Sequence, residues 1–268
     1  MSIFQITDKE FKDFQSFIFD QAGISMSDSK KQLVLNRLSK RLRYYDLNRF
    51  SDYFDLVHKK ENIEEKQHLI DLLTTNETYF FREPKHFEFL EKEILISFRG
   101  GRFRCWSAAC SNGAEPYTLA MVLDSSLGSG RWEILATDIS ARVVGTAKEA
   151  TYPMAEAEKI PKEFLTKYCL KGVRSQQGVM MVDKTVLRHI DFRRMNLNGQ
   201  LPDVGKFDLI MLRNIMIYFD LETKIKLVEN LIKRLHPGGY LIVGHSESLN
   251  GVTNKLTLIS PSIYRLES

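Results

Sequence analysis

The chain has 268 residues, 43% of them apolar, and a formal net charge of +4, enough for one large core or one core with a small satellite domain. No apolar run is long enough to cross a bilayer and charges interrupt Met1 to Asp20, so neither a membrane span nor a signal peptide is expected and the setting is cytoplasmic. Cys105, Cys110 and Cys169 lack C-x-x-C spacing, which points away from a metal centre or disulfide framework and towards packing.

Phe11, Phe14, Phe17 and Ile18 recur at helical spacing and predict a helix that stops at Gly23. A second helix, capped by Ser27 or Asp28, places Val34, Leu38 and Leu42 on one stripe and Lys30, Arg37, Lys40, Arg41 and Arg43 on other faces. Six basic residues and no acid lie between Lys30 and Arg43. Such a stretch is either a solvated face or a docking surface for an acidic partner. Nucleic acid fits poorly, because aromatic residues accompany the stripe only at Tyr44 and Tyr45 and no nucleic-acid module is recognisable. Helices over 50–58 and 63–73 follow. Then comes an unusual linker, in which polar residues from Thr74 run into Tyr79, Phe80, Phe81 and Arg82 before Pro84. Phe80 and Phe81 suit a plug between two domains. Asn76, Thr78 and Arg82 do not, and an arginine there can hold a planar carboxylate in two-point contact.

From about Lys92 strands and helices alternate, which predicts a doubly wound α/β sheet. Strands are expected over 103–108, 132–136, 189–196, 207–212 and 240–243. Helices are expected over 117–123, 141–150 and 221–235, the last stopping at Pro237-Gly238-Gly239. Between Tyr152 and Asp191 the alternation breaks into a helical piece over 161–170 and short strands around Gly178 that include Val186 and Leu187, a small β insertion at about 168–188. The segment 256–266 forms a closing hairpin. The expected organisation is a helical domain over 1–75, a linker over 76–91 that contributes to the active site, and a sheet domain over 92–268.

The first strand runs into Ala108-Ala109-Cys110-Ser111-Asn112-Gly113-Ala114-Glu115-Pro116, a turn of small residues that leads into a helix. This half of a Rossmann-like crevice lacks G-x-G-x-x-G, and a single glycine followed by a carboxylate suits a pyrophosphate poorly. Asp138 ends the second strand, where such folds hydrogen-bond a ribose. A phosphate-free nucleoside cofactor fits, which points to S-adenosylmethionine. Loops beyond the strand ends bring Glu115, Asp138, Asn196 with Leu197, and Asn214 with Ile215 to the same edge.

Five segments then stand together: Thr74-Thr75-Asn76-x-Thr78-x-Phe80-Phe81-Arg82-Glu83, Trp106-Ser107-Ala108-Ala109-Cys110-Ser111-x-Gly113-x-Glu115-Pro116-Tyr117, Ala136-Thr137-Asp138-Ile139, Arg213-Asn214-x-Met216-Ile217-Tyr218-Phe219 and Gly244-His245-Ser246-Glu247. They closely resemble the chemotaxis receptor methyltransferases, the CheR family, over nearly the whole chain. A departure lies at Asn112-Gly113-Ala114-Glu115, where the family more often has a second acid. The resemblance implies an all-α N-terminal domain before a Rossmann-like S-adenosylmethionine-dependent methyltransferase sheet with a small β insertion. It implies methyl esterification of glutamates on the cytoplasmic helical domain of chemoreceptors, with S-adenosylhomocysteine released; the expected oligomeric state is a monomer. Asn76, Thr78, Arg82, Glu115, Asp138, Asn196, Leu197, Asn214 and Ile215 would bind the cofactor. Arg82 and Tyr218 would align the substrate carboxylate, and Lys30, Arg37, Lys40, Arg41 and Arg43 would dock the receptor. Because glutamate is ionised near neutral pH, the transfer needs alignment and no general base. The rivals are a non-catalytic cofactor-binding adaptor of the same fold and a methyltransferase acting on nucleic acid or a small molecule, whose N-P-P-Y or D-P-P-Y motif is absent.

Overall fold

Thr7 starts the first helix with a reciprocal cap: its hydroxyl accepts the Glu10 N–H, and the Glu10 carboxylate accepts the Thr7 N–H at 2.9 Å. In the computed structural model, which describes residues 4–267, this helix, α1 (Asp8–Ala22), ends where Gly23 takes a left-handed φ of 72°. A 3₁₀ turn over Asp28–Lys30 leads into α2 (Lys31–Tyr44), followed by α3 (Phe50–His58) and α4 (Ile63–Leu73). Their apolar stripes meet in one core built on Phe14, Phe17, Leu38, Leu42, Phe50, Tyr53 and Leu69. Phe14 packs edge-on against Phe50 and Phe54.

Two members of the expected basic docking face belong to this interior instead. Arg41 donates through Nε and Nη2 to the two oxygens of buried Glu65, at 2.9 and 2.6 Å. Arg37 donates through Nη1 to the carbonyls of Leu72 and Thr74, closing the end of α4. A guanidinium that satisfies buried acceptors is not free for a partner. Lys30, Lys40 and Arg43 are exposed.

The expected linker contains a helix of its own: α5 (Lys85–Phe89), prolonged by a π turn over Leu90–Ile94. Pro84 discourages helix at the residue before it, and Glu83 takes a φ of 58°. Pro84 itself precedes the first helical residue, where its missing N–H costs nothing.

The sheet region runs β1 (Phe103–Ser107), α6 (Ala114–Leu127), β2 (Trp132–Asp138), α7 (Ala141–Glu149), β3 (Thr151–Pro153), α8 (Lys162–Tyr168), β4 (Cys169–Lys171), β5 (Val179–Val182), α9 (Lys184–Leu187), β6 (Ile190–Arg194), β7 (Phe207–Leu212), α10 (Leu221–Ile232), β8 (Leu235–Val243), β9 (Leu256–Ser260) and β10 (Ile263–Leu266). The seven-stranded sheet has the order β6-β2-β1-β7-β8-β10-β9. Strands β6 to β8 are parallel, and the closing hairpin adds two antiparallel strands. Alternate residues feed opposite cores: Cys105, Leu209 and Ile242 on one face, Trp106, Ile210 and Leu241 on the other. The order reverses between β1 and β7, so a crevice opens beyond their carboxyl ends.

Three expectations need correction. The last long helix, α10, ends at Ile232, and Pro237-Gly238-Gly239 lies within β8 beside a register irregularity, where Gly238 takes a φ of 79°. Val186 and Leu187 lie at or near the end of a short helix capped by Asp183, whose carboxylate accepts the Thr185 N–H at 2.7 Å. The remaining strand of the small sheet comes from Thr151–Pro153, giving the antiparallel order β3-β5-β4.

Glu65 also accepts Tyr53 Oη at 2.5 Å and Tyr45 Oη at 3.0 Å. Burial opposes its ionisation, but hydrogen bonds from Arg41, Tyr53 and Tyr45 outweigh that and hold the carboxyl below its usual range. Glu65→Gln is expected to destabilise the protein by about 3 kcal/mol at pH 7, since it leaves a largely buried guanidinium without its counter-charge. A depressed carboxyl stabilises above its unfolded pKa, so the gap between wild type and variant should close as pH falls below about 4.3. Urea unfolding at pH 7 and below pH 4 checks both, and a gap independent of pH would show that ionised Glu65 is not the cause.

Candidate functional site

Four segments distant in sequence line a cavity of about 340 Å³ at the mouth of the crevice. The helical region supplies Ile24 to Ser27, Lys30 and Leu33, and the linker supplies Leu73 to Thr78 with Arg82. The strand ends supply Ala109, Ser111, Glu115, Asp138 and Ile139, and the loop after β7 supplies Arg213, Asn214, Ile215, Ile217 and Tyr218. Backbone and side-chain bonds close the seam around it. Ser25 N donates to the Tyr218 carbonyl at 2.7 Å, beside a bridge between Ile24 and Phe219. Asp71, at the end of α4, accepts the N–H groups of Ala141 and Arg142, both at 3.2 Å, and so caps α7 from the other side of the seam.

The floor is the loop after β1. Ser111 takes a φ of 48° and Gly113 one of 92°. A Cβ on Gly113 would lie 2.9 Å from both Ala147 Cβ and Tyr152 Oη, so only glycine fits. The turn aims the Ser111 N–H at Asp138 Oδ2, 2.9 Å away, while Asp138 Oδ1 accepts Ser140 N at 3.0 Å. Each oxygen keeps a further lone pair. Burial raises the Asp138 pKa against these bonds. The Ser111 hydroxyl donates to the Asn76 carbonyl at 3.1 Å, which draws the linker onto the loop.

Behind this floor lies a buried ion network. Arg213 Nη1 donates to Glu115 Oε2 at 2.8 Å, and Nη2 donates to Glu83 Oε2 at 3.1 Å and to the Arg82 carbonyl. Its side chain is 2% exposed. Glu115 accepts Ser107 Oγ on its other oxygen at 2.7 Å; burial pushes its pKa up against the pull of Arg213. Burial also opposes ionisation of Glu83, but a hydrogen bond from Asn214 Nδ2 and the Arg213 charge hold that carboxyl below its usual range. Glu247 accepts the N–H groups of Asn214, Gly244 and Ile217, at 2.8, 2.7 and 3.3 Å, and so joins the loops after β7 and β8.

Arg82 is half-buried, with Nη1 donating to the Glu77 carbonyl at 2.8 Å, and Tyr218 lines the same cavity. Asn76, Thr78, Glu115, Asp138, Asn214 and Ile215 line it too. Asn196 and Leu197 do not. Asn196 Nδ2 donates to the Gln21 carbonyl at 2.6 Å and fastens the end of α1, and Leu197 is buried in the core with Met216. Sequence reasoning gave no role to Glu83, Arg213 and Glu247, which stand in its motifs, or to Asp71. Their importance lies in bonds between motifs, for which one sequence offers no signal.

The residues suit S-adenosylmethionine. Asp138 presents a fixed carboxylate, with acceptor capacity on both oxygens, where a ribose diol would sit, and Ile24, Ile139 and Ile215 offer an apolar wall to a heterocyclic base. Arg213→Met would leave Glu83 and Glu115 without their counter-charge. It is expected to cost about 3–5 kcal/mol of stability and to weaken cofactor binding. Arg213→Lys should rescue little, because a single ammonium cannot replace a planar fork bonded to three acceptors. Denaturant unfolding and cofactor titration of both variants test this, and a lysine variant equal to wild type would refute the fork requirement.

Residues 9–74 match the CheR methyltransferase all-alpha domain and residues 76–264 match the CheR methyltransferase SAM binding domain. The chain is 36% identical over 264 residues to the chemotaxis protein methyltransferase of Escherichia coli, covering 97% of this chain and 92% of that protein. It is 36% identical over 272 residues to that of Borreliella burgdorferi, with 97% and 95% covered, and 35% identical over 279 residues to that of Vibrio parahaemolyticus, with both chains covered in full. The matched domains span the helical region, the sheet and the cavity between them, and the chain belongs to the CheR methyltransferase family, with S-adenosylmethionine as its cofactor.

Proposed function

We propose that this chemotaxis methyltransferase esterifies glutamate side chains of chemoreceptors for sensory adaptation, releasing S-adenosylhomocysteine. The observation that carries this reading is Arg82 at the cavity wall, whose guanidinium makes one hydrogen bond among the described residues and keeps its remaining N–H donors free to meet a carboxylate.

Bound S-adenosylmethionine supplies an electrophilic methyl group on a sulfonium. Asp138 holds the ribose, Asn76 and Thr78 cover the pocket from the linker, and Asn214 and Ile215 close it from the loop after β7. The incoming glutamate is already ionised, since its pKa lies near 4.3, so no side chain has to take its proton. Arg82 and Tyr218 orient the nucleophilic oxygen. Orientation alone supplies several kcal/mol of barrier lowering. Lys30 at the cavity rim, with exposed Lys40 and Arg43, offers positive charge to an acidic helical partner. The protein acts as a monomer in the cytoplasm.

Arg82→Ala is expected to lower ester formation on receptor cytoplasmic fragments on the order of 10²-fold or more while cofactor affinity changes only a few-fold. Transfer of labelled methyl and its release as methanol in mild base measure this. Base-stable label would point to another acceptor, and bound cofactor with no transfer at all would favour an adaptor. Reversing Lys40 and Arg43 to glutamate should slow methylation of intact receptor more at low salt than at high salt. Equal losses at both would remove the steering role.

A further inference from the structure

Outside the cavity lining, Glu83, His86 and His245 converge so that one donor atom from each lies within 4.8 Å of the others. His86 Nδ1 is 3.5 Å from Glu83 Oε2, and the rings of His86 and His245 have centroids 4.6 Å apart. His86 is 1% exposed, and its Nδ1 has no hydrogen-bond partner. The other ring nitrogen assigns the tautomer. Nε2 lies 2.7 Å from Ser262 Oγ, and that hydroxyl lies 2.6 Å from the Pro261 carbonyl, which can only accept. The one hydroxyl proton goes to the carbonyl, so Nε2–H donates to Ser262 and Nδ1 carries a lone pair. That lone pair faces the Glu83 carboxylate.

Two electron-pair donors face one another in a buried site, an arrangement that a cation between them relieves. Ligands of a tetrahedral zinc ion, at about 2.0–2.1 Å from the metal, stand about 3.3 Å apart. The Glu83 to His86 separation already meets that. His245 is exposed, so a small side-chain rotation brings its ring into range and provides the entry path. Ser262 on Nε2 fixes the orientation of His86, as outer partners of metal-bound histidines do.

We propose that Glu83, His86 and His245 form a binding site for a divalent transition-metal ion of the zinc class, with three protein ligands and one position left to solvent. The site is coupled to the cofactor pocket. Glu83 Oε2 also accepts Arg213 Nη2, and Glu83 Oε1 accepts Asn214 Nδ2. A metal on Glu83 competes with Arg213 for the same oxygen, and the added positive charge beside that guanidinium loosens its hold on Glu83. Metal therefore lowers affinity for S-adenosylmethionine, and by linkage the cofactor lowers affinity for metal by the same factor.

The test is calorimetric titration of tag-free, metal-stripped protein with Zn²⁺, with and without S-adenosylhomocysteine. One equivalent should bind, at least ten-fold more weakly in His245→Ala, whose exposed ring can be removed without opening the core. Prior saturation with S-adenosylhomocysteine should weaken metal binding in wild type. Glu83→Gln, checked for folding by circular dichroism, should lose the equivalent as well. Equal Zn²⁺ affinity in wild type and His245→Ala would overturn the site. Metal binding indifferent to S-adenosylhomocysteine would overturn the coupling.

Discussion

The arrangement of the site depends on one buried guanidinium. Arg213 leaves the end of β7 and meets Glu115 of α6, Glu83 of the linker and the Arg82 carbonyl. It thereby connects the sheet, the glycine turn and the segment that carries Arg82. Its flat fork explains the residue type, because three acceptors in different directions need separate N–H vectors. Removing a buried charge from its partners is costly, so the network holds the linker in a single position relative to the strand ends. Phe87 lies beneath the guanidinium, 5.4 Å from ring centroid to Cζ, which limits its lateral movement.

The helical region is held to the same frame by complementary means. Asp71 takes the first N–H groups of α7, so a helix in the sheet region is capped by a residue from α4. The bond from Ser25 to the Tyr218 carbonyl does the reverse, tying a cavity loop to the segment after α1. Both bonds consume backbone groups that would otherwise be left unpaired at a seam. The cavity is therefore enclosed only when both regions are in place, which explains why its lining draws on residues before and after the linker.

Local patterns were legible in the sequence wherever a local rule decided them. Gly23 after a 3.6-residue apolar stripe located the end of α1, and the apolar run Phe207–Leu212 located a buried parallel strand. Asp138 at the end of β2 followed from the crevice topology. The misread elements are those where tertiary context overrode a local signal. Pro237-Gly238-Gly239 is absorbed at an irregular point of β8 instead of stopping the last long helix, and Val186 and Leu187 join a short helix instead of a strand. Arg37 and Arg41 share composition with Lys40 and Arg43, and only the positions of the Leu72 and Thr74 carbonyls and of Glu65 separate a structural arginine from a surface cation. The same limit hid Glu83, Arg213 and Glu247, since a bond between residues far apart in sequence has no periodicity.

Four of the eight non-glycine residues with positive φ among the described residues gather at the site. Ser111, Phe81, Glu83 and Asn214 are non-glycine residues with φ between 48° and 58°, and all lie at or beside the cavity. Each such conformation costs of order 1 kcal/mol and persists only where neighbours over-determine it. Those neighbours are identifiable: Asp138 holds the Ser111 N–H, Thr118 holds the Phe81 N–H, Arg213 and Asn214 hold the Glu83 side chain, and Glu247 holds the Asn214 N–H. Methyl transfer to a carboxylate, the reaction proposed above, asks its enzyme for placement rather than proton transfer. A cavity whose loops are fixed by buried charge and strained turns meets that demand, because its donors reach their positions before any ligand arrives.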